Sequence, residues 1–215
     1  MTTSLSNLLS ESLPADEQPI SASKQQILDA AQLLMALHGY GGLSMRELAA
    51  ESGLAKATIY HHFQDKDEIF RQVLERDMHM VHAQLIAAAA AATGAVAKIS
   101  AVIRTYFGLM QERRTVIMSV MRELGQHDQQ LCQFIDDRRR FYFAPIGAIL
   151  ETGIAEGVFR PLNVEHTAIS LVGMINAFVV FHFILSNNEP ADAIIDHTIR
   201  LFLQGICQEE EQPSS

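Results

Sequence analysis

The chain has 215 residues, of which 48% are hydrophobic and 19% charged, and this balance excludes an intrinsically disordered protein. With only 6 prolines and 12 glycines, the composition favours an all-α fold. The two cysteines, Cys132 and Cys207, lack the CxxC spacing of a zinc site or of a disulfide framework. Since the first twenty residues also lack the pattern of a signal peptide, we expect a cytoplasmic protein.

The net charge of −9 is concentrated at the two ends of the chain. Residues 1–20 and 208–215 each carry three acidic residues and no lysine or arginine, and without them the net charge of the remaining chain is −3. These two tails are expected to be disordered. The segment 21–66 is neutral, so the overall acidity does not exclude a nucleic-acid partner.

Apolar residues at helical spacing predict a first helix over 23–38, which stops at Gly39. A Ser-x-x-Glu capping box then places the start of a second helix at Met45. In such a box the hydroxyl of Ser44 and the carboxylate of Glu47 each satisfy a free backbone N–H.

The stretch that follows fits two helices crossing through a tight turn. Ala49 supplies the small side chain that such a crossing needs, and Gly53 tolerates the positive φ of the turn. Ile59 and Phe63 are predicted to anchor a short helix to the core, so that its polar residues face outward: Lys56, Thr58, Tyr60 and His61. Such a helix suits insertion into the major groove of DNA.

Further helices are predicted along the rest of the chain. Asp65 is placed to cap a helix over 66–91, which would span ~39 Å and can join two domains. Five more segments have helical patterns: 95–112, 115–125, 129–156, 163–186 and 190–206. We therefore predict a three-helix, helix-turn-helix DNA-binding domain over 21–67 and a larger helical domain over 68–207.

The sequence GLSMRELAAESGLAKATIYHHFQDKDEIF resembles the N-terminal domain of the tetracycline-repressor (TetR) family of transcriptional regulators. The resemblance covers roughly Lys24 to Phe70 and includes the Ser-x-x-Glu-Leu-Ala start, the Ala-x3-Gly turn and the Thr-x-Tyr-x-x-Phe recognition helix. Where the family usually has Ser or Thr before this helix, the chain has Ala55, and loss of such a cap costs about 1 kcal/mol.

The resemblance implies a homodimer that binds a palindromic operator and leaves it when a small molecule enters the C-terminal domain. It implies that Lys56, Thr58 and His61 face bases or nearby phosphates and that Tyr60 holds a phosphate. It further implies backbone contacts from three residues at helix starts: Ser44, Arg46 and Lys66. The implied activity is regulation, and no cofactor is expected.

The C-terminal half is rich in aromatic residues and methionines, which suit an adaptable apolar cavity for a lipophilic effector. The candidate lining residues are Phe107, Met110, Met118, Met121, Phe141, Phe178 and His182. Ordinary core packing is the alternative for each of them, and His182 can equally be a satisfied core histidine. The run Arg138, Arg139 and Arg140 is either a solvated face or a phosphate-binding element for an effector such as an acyl-coenzyme A thioester.

The run Ala168 to Leu185 is apolar and just long enough to cross a membrane. Asn176 and His182 interrupt it, and it lacks flanking basic clusters, so a helix buried on all sides in protein is expected instead. Gly173 and Ala177 lie one turn apart and would permit close helix approach at a dimer interface.

Three other classes remain to be weighed. His79 and His82 share a helix face and suggest a metal-responsive sensor, although no further clustered ligand completes a site. Catalysis is not expected, since Glu-x-x-His pairs, the Gly-x-Ser-x-Gly elbow and phosphate loops do not occur in the sequence. A helical interaction protein that does not bind DNA is the remaining alternative.

Overall fold

The structure, a computed structural model, describes residues 21–125, 129–181 and 192–208. Over these residues the predicted all-α class is confirmed. The described helices are α1 Ala22–His38, α2 Met45–Ser52, α3 Lys56–His62, α4 Lys66–Ala90, α5 Ala95–Glu112, α6 Arg114–Gly125, α7 Gln129–Ala155, α8 Val164–Phe178 and α9 Asp192–Ile206. A short 3-10 turn, Tyr40–Gly42, joins α1 to α2.

The ends of the first helices follow from their capping residues. At the start of α1, the Lys24 N–H donates to Ser21 Oγ at 3.2 Å. Gly39 ends the helix with φ +68°, a conformation that favours glycine. At the start of α4, the Glu68 N–H donates to Asp65 Oδ1 at 2.7 Å, which confirms the predicted cap.

The capping box of α2 is half formed. The Glu47 N–H donates to Ser44 Oγ at 3.2 Å, as expected. The Glu47 carboxylate, however, accepts from the Ser44 hydroxyl at 2.7 Å rather than from a backbone N–H, so the expectation of a reciprocal backbone contact was wrong. A hydroxyl can accept one hydrogen bond and donate another, so Ser44 Oγ accepts from the Glu47 N–H while donating to the Glu47 carboxylate.

The chain divides into two compact units. The head unit consists of the described residues up to Met80 together with Arg113–Arg140, and the body unit consists of Val81–Glu112 and the described residues from Phe141 onward. The division falls within α4 and α7, so both helices contribute to each unit. The domain limits predicted from the sequence, at residues 67 and 68, remain a prediction.

The core of the head unit is formed by α1 to α4 with α6 and the first part of α7. Seventeen buried side chains form it, among them Ile27, Met35, Leu48, Ile59, Phe63, Ile69, Val116 and Phe134. Because α6 packs directly on α1, this core includes residues well outside the segment expected to bind DNA.

In the body unit, α5 packs against α8 and α9. Phe159, which follows α7, is 1% exposed and its ring lies against Gly153, where an added Cβ would come within 2.1 Å of the ring. Phe159 also forms an isolated antiparallel bridge with Cys207. There, the Arg160 N–H donates to the Ile206 carbonyl at 2.9 Å, and the Gln208 N–H donates to the Val158 carbonyl at 3.2 Å.

Among the described residues, Val164–Phe181 is the one segment long and apolar enough to cross a membrane. Length and composition are weak support for such a role, since the core helix of a soluble protein passes the same test. Only 28% of the segment is buried, so the expectation of burial on all sides was wrong. Its exposed positions include Ser170, Gly173, Ala177 and Phe181. The expectation failed because apolar composition does not distinguish a core face from an exposed face.

Candidate nucleic-acid interface

The short helix α3 is anchored inward and polar outward, as predicted. Ile59 is fully buried and Phe63 is 1% exposed, so the helix is fixed to the core of the head unit. Tyr60 is 56% exposed, and Lys56 and His61 are also exposed, while Thr58 is half-buried. The helix therefore presents a cationic and aromatic surface to the surroundings.

The turn between α2 and α3 is fixed by its backbone. Gly53 adopts the left-handed conformation, φ +67°, that the sequence predicted. The Gln26 side chain donates to the Ser52 carbonyl at 2.6 Å, which satisfies the end of α2 from α1. Ala55 provides no side-chain cap for α3. The start of α3 therefore depends on the backbone turn at Gly53 and on the packing of Ile59 rather than on a side-chain cap.

The other two predicted positions on this surface lie at the starts of α2 and α4. Arg46 is exposed, while Ser44 is half-buried and engaged in the cap of α2. Lys66, at the start of α4, has its Nζ 4.3 Å from the centre of the Tyr40 ring. That Ser44, Arg46 and Lys66 contact DNA remains a prediction.

Sequence reasoning missed Tyr40. Its ring lies 4.7 Å from that of Phe70, and its hydroxyl donates to Asp67 Oδ1. The Tyr40 N–H donates to Ser119 Oγ at 3.1 Å, across 79 residues of sequence. The sequence signal for Tyr40 was only that an aromatic residue follows Gly39. No local pattern indicated that its backbone N–H would bond to Ser119.

A second network that the sequence did not reveal lies inside the head unit. Asp77 is 6% exposed and accepts from Gln32 Nε2 at 3.1 Å, with Arg113 Nε at 3.8 Å. Arg76 donates to Asp29 Oδ1 at 2.6 Å and also to Gln32 Oε1. Burial raises the pKa of the Asp77 carboxyl, and the nearby Arg113 and Arg76 guanidinium groups oppose that rise.

The predicted effector residues are distributed over both units. In the body unit Phe107 and Met110 are buried, the rings of Phe107 and Phe178 are 6.5 Å apart, and the Phe141 ring lies 3.9 Å from that of His82. In the head unit Met118 is half-buried and Met121 is 42% exposed. His182 lies outside the described residues. The predicted lining set thus remains a prediction, and within it the rings of Phe107 and Phe178 are in contact.

Arg138, the first residue of the arginine run, is engaged within the head unit. Arg138 Nε donates to Glu75 Oε1 at 2.9 Å, and its guanidinium lies 3.9 Å from the centre of the Phe134 ring. The side chains of Arg139 and Arg140 are outside what the structure describes. Arg138 therefore has a structural role that competes with phosphate binding.

The histidines of the suggested metal site are in different surroundings. His79 is exposed, whereas His82 is 5% exposed and stacks on Phe141. Over the described parts of the chain, no group of three or more His, Cys, Asp or Glu is close enough to hold a metal ion.

A cleft of about 330 Å³ lies between α8 and α9 in the body unit. It is lined by Asn163, His166, Thr167, Ser170, Met174, Leu201, Phe202, Gly205 and Ile206. Leu201 is 50% exposed beside it, and Gly173 and Ala177 are exposed on α8. This surface is apolar and carries small residues on one helix.

The helix pair α2 and α3, with its left-handed glycine turn and outward polar helix, defines the helix-turn-helix class of DNA-binding proteins. Residues 27–73 match the family model of bacterial regulatory proteins of the tetR family. Residues 92–206 match that of the tetracyclin repressor-like C-terminal domain. The chain belongs to the TetR family and is a ligand-responsive, DNA-binding transcriptional regulator.

Characterised relatives include the fatty acid metabolism regulator protein of Bacillus subtilis, 25% identical over 182 residues that cover 84% of this chain and 94% of that protein. The repressor KstR2 of Mycolicibacterium smegmatis is 23% identical over 67% of this chain and 70% of its own length. These relatives are regulators and not enzymes, and the matches favour regulation over the metal-sensor and interaction-protein alternatives.

Solved structures with the same fold include FadR from Bacillus subtilis in complex with stearoyl-CoA. Its TM-score is 0.73 at 25% identity, and the match covers 85% of this chain and 98% of that one. A Saccharomonospora viridis protein solved with choline has a TM-score of 0.73 at 21% identity, covering 86% and 97% of the two chains. The fold thus occurs with chemically different ligands.

Proposed function

We propose that the protein binds a palindromic operator as a homodimer and leaves it when a long-chain acyl-coenzyme A binds the body unit. The observation that supports DNA contact through α3 is the exposure of Lys56, Tyr60 and His61 on a helix whose inner face is anchored by Ile59. The contacts proposed at its edges are those of Ser44, Arg46, Thr58 and Lys66. Because the proposed partner is DNA, we also propose that the protein is cytoplasmic.

The charge of the head unit predicts a moderate salt dependence. Two of the proposed contact residues on α3 and α4 are lysines, Lys56 and Lys66, and one on α2 is an arginine, so each half-site involves few phosphates. We expect the logarithm of the binding constant to fall with the logarithm of the salt concentration with a slope shallower than about −6. Fluorescence anisotropy on a labelled operator at several NaCl concentrations measures it, and a steeper slope would point to further basic contacts.

We propose that the dimer forms through the exposed faces of α8 and α9. Gly173 and Ala177 would let the helices approach closely, and Leu201 would enter the interface. An isologous contact of this kind places each residue in the interface twice.

Leu201→Glu is accordingly expected to convert the dimer into a monomer at micromolar concentration, because the dimer would bury two unpaired carboxylates. Sedimentation velocity measures this change. The control is Val96→Glu on α5, where the side chain is 39% exposed and no dimer contact is proposed. A dimer that survives Leu201→Glu, or one that Val96→Glu also dissociates, contradicts the proposed interface.

The effector proposal is supported by the relationship to a fatty acid metabolism regulator over nearly its whole length, and by the buried apolar residues Phe107 and Met110 with Phe178 beside them. A long acyl chain needs such surroundings. Arg138 lies in the head unit and is paired with Glu75, so it is not among the residues proposed to bind the effector.

Stearoyl-CoA is expected to release the protein from a labelled operator, whereas coenzyme A alone and choline are expected to leave it bound. Phe178→Ala, which shortens an apolar side chain, is expected to raise the required stearoyl-CoA concentration about 10-fold, the equivalent of about 1.4 kcal/mol. The matched variant Val158→Ala, at an exposed apolar position of the same unit, is expected to have no effect. Release by choline, or an unchanged concentration for Phe178→Ala, would contradict the acyl proposal.

A further inference from the structure

Tyr40 lies between the proposed DNA-binding surface and helix α6. It is half-buried at the start of the 3-10 turn that joins α1 to α2. We infer that Tyr40 is a positioning residue that presents Lys66 to the DNA, and that Ser119 on α6 holds Tyr40 in place. The inference rests on the proposed contact between Lys66 and a DNA phosphate.

The first link is the ring. Lys66 Nζ lies 4.3 Å from the centre of the Tyr40 ring, within the range of a cation–π contact. A lysine side chain has four rotatable bonds, and ordering them on binding costs free energy. A ring that already restricts the ammonium in the free protein removes part of that cost. The ring itself is supported by Phe70, 4.7 Å away.

The second link is the hydroxyl. The exposed Asp67 carboxylate and the Lys66 ammonium both contact Tyr40, so the carboxylate lies close enough to attract the ammonium in competition with a DNA phosphate. The Tyr40 hydroxyl donates to Asp67 Oδ1 and holds that carboxylate by a separate contact. One side chain thus contacts both the cation and the competing anion.

The third link connects Tyr40 to α6. Ser119 is 4% exposed; its Oγ accepts from the Tyr40 N–H at 3.1 Å and donates to the Thr115 carbonyl at 3.0 Å. An added Cβ at Gly39 would lie 3.1 Å from Ser119 Oγ, so glycine allows this close approach. Because α6 lies within the segment matched to the C-terminal domain of the family, the Ser119 hydrogen bond gives a shift of α6 a direct connection to Tyr40, beside the packing of α6 on α1.

The test is the salt dependence of operator binding, which reports phosphate contacts rather than stability. Lys66→Ala is expected to reduce the magnitude of the log–log slope by about 2 for a dimer, since each copy loses one phosphate contact. Tyr40→Leu is expected to reduce the slope in the same direction, and to have no further effect on it in a Lys66→Ala background. Tyr40→Phe keeps the ring and is expected to restore more than half of the lost slope.

Ser119→Ala tests the link to α6. It removes the acceptor for the Tyr40 N–H and is expected to reduce the slope as well. Ser100→Ala is the matched control, because Ser100 Oγ donates to the Val96 carbonyl in the same helical geometry and Ser100 belongs to the body unit. An effect of Ser100→Ala equal to that of Ser119→Ala would overturn this part of the inference.

A wild-type slope for Tyr40→Leu, even with weaker binding, would show a merely structural role and overturn the inference. So would an additional loss of slope in the Lys66→Ala background. Failure of the wild-type protein to bind any operator would instead contradict the proposed function.

A second measurement does not depend on whether Tyr40→Leu folds. The Hε protons of Lys66 in the wild-type protein are expected to resonate upfield of those of the exposed Lys56, because of the Tyr40 ring current, and this shift is expected to shrink in Ser119→Ala. An unshifted wild-type resonance would overturn the inference by itself.

Discussion

Tyr60→Ala is expected to abolish the enrichment of a palindromic sequence from a random pool of DNA that the wild-type protein enriches. Tyr60 is 56% exposed on α3 and follows the fully buried Ile59, so its truncation leaves the core of the head unit intact. A hydrogen bond to a charged group contributes about 1.5 kcal/mol, and a dimer loses two of them. The affinity for the operator should therefore fall about 100-fold.

The measurement is selection and sequencing of bound DNA, followed by anisotropy on the selected operator. Leu37→Ala is the control, because Leu37 is 63% exposed in the same unit but lies on α1, where no DNA contact is proposed. Equal enrichment by wild type and Tyr60→Ala would remove α3 from the proposed interface. Failure of the wild-type protein to enrich any sequence at low salt would support the alternative of a helical interaction protein that does not bind DNA.

The second large effect concerns stability. Asp77→Ala removes the acceptor for Gln32 Nε2 and the carboxylate near Arg113, both within the head unit. Removing one partner of a buried pair is strongly destabilising, because the cation that stays buried loses its charged partner. We expect the free energy of unfolding to fall by about 3 kcal/mol, the lower end of the range for such changes.

Denaturant unfolding at a fixed protein concentration measures this loss. The matched control is Asp196→Ala, which removes an ion pair with Arg104 whose side chains are 52% and 42% exposed for Arg104 and Asp196. That exposed pair is expected to contribute less than about 1 kcal/mol. Equal losses for the two variants would mean that the Asp77 network adds nothing beyond a surface pair.

The pH dependence of stability has a definite sign. The pKa of Asp77 is raised above its ordinary value of 3.8 by burial. A raised carboxyl pKa means that the folded state binds the proton more tightly than the unfolded state does, so protonation of Asp77 stabilises the fold. This contribution is present below pH 3.8 and is lost as the pH rises through the folded pKa. Asp77→Asn keeps an oxygen for Gln32 and does not titrate.

The stability of the wild-type protein relative to Asp77→Asn should therefore decrease as the pH is raised from about 4 to 7. The two unfolding free energies, measured across this interval, test the sign directly. An increase of the difference would show that attraction to Arg113 and Arg76 outweighs burial.

Local features of the fold were predictable from the sequence because the residues that determine them are close in the chain. Gly53 in the α2–α3 turn, Asp65 at the start of α4 and the anchors Ile59 and Phe63 were each placed correctly. The Gly53 turn depends on a dihedral angle and the Asp65 cap on a hydrogen bond within a few residues, and helical periodicity indicated the two anchors.

Contacts between distant residues were not predictable in the same way. Tyr40 and Ser119 are 79 residues apart, and Gln32 and Asp77 are 45 apart, so no local pattern links either pair. The α8 helix shows a different limit. Its apolar residues could not be divided between core and exposed face by hydropathy, and Gly173 and Ala177 proved exposed.

The short pairing of Phe159 with Cys207 has a practical consequence for fusion proteins. Main-chain groups of Val158 and Arg160 bond to Gln208 and Ile206 on either side of that bridge. A fluorescent reporter joined directly after Ile206 would replace Cys207 and Gln208, so one of these bonds would depend on the first residues of the reporter, whereas a junction beyond Gln208 keeps both. A reporter intended to follow operator release in living cells should therefore be joined after Gln208, because this junction leaves α9 and the exposed Leu201 unchanged.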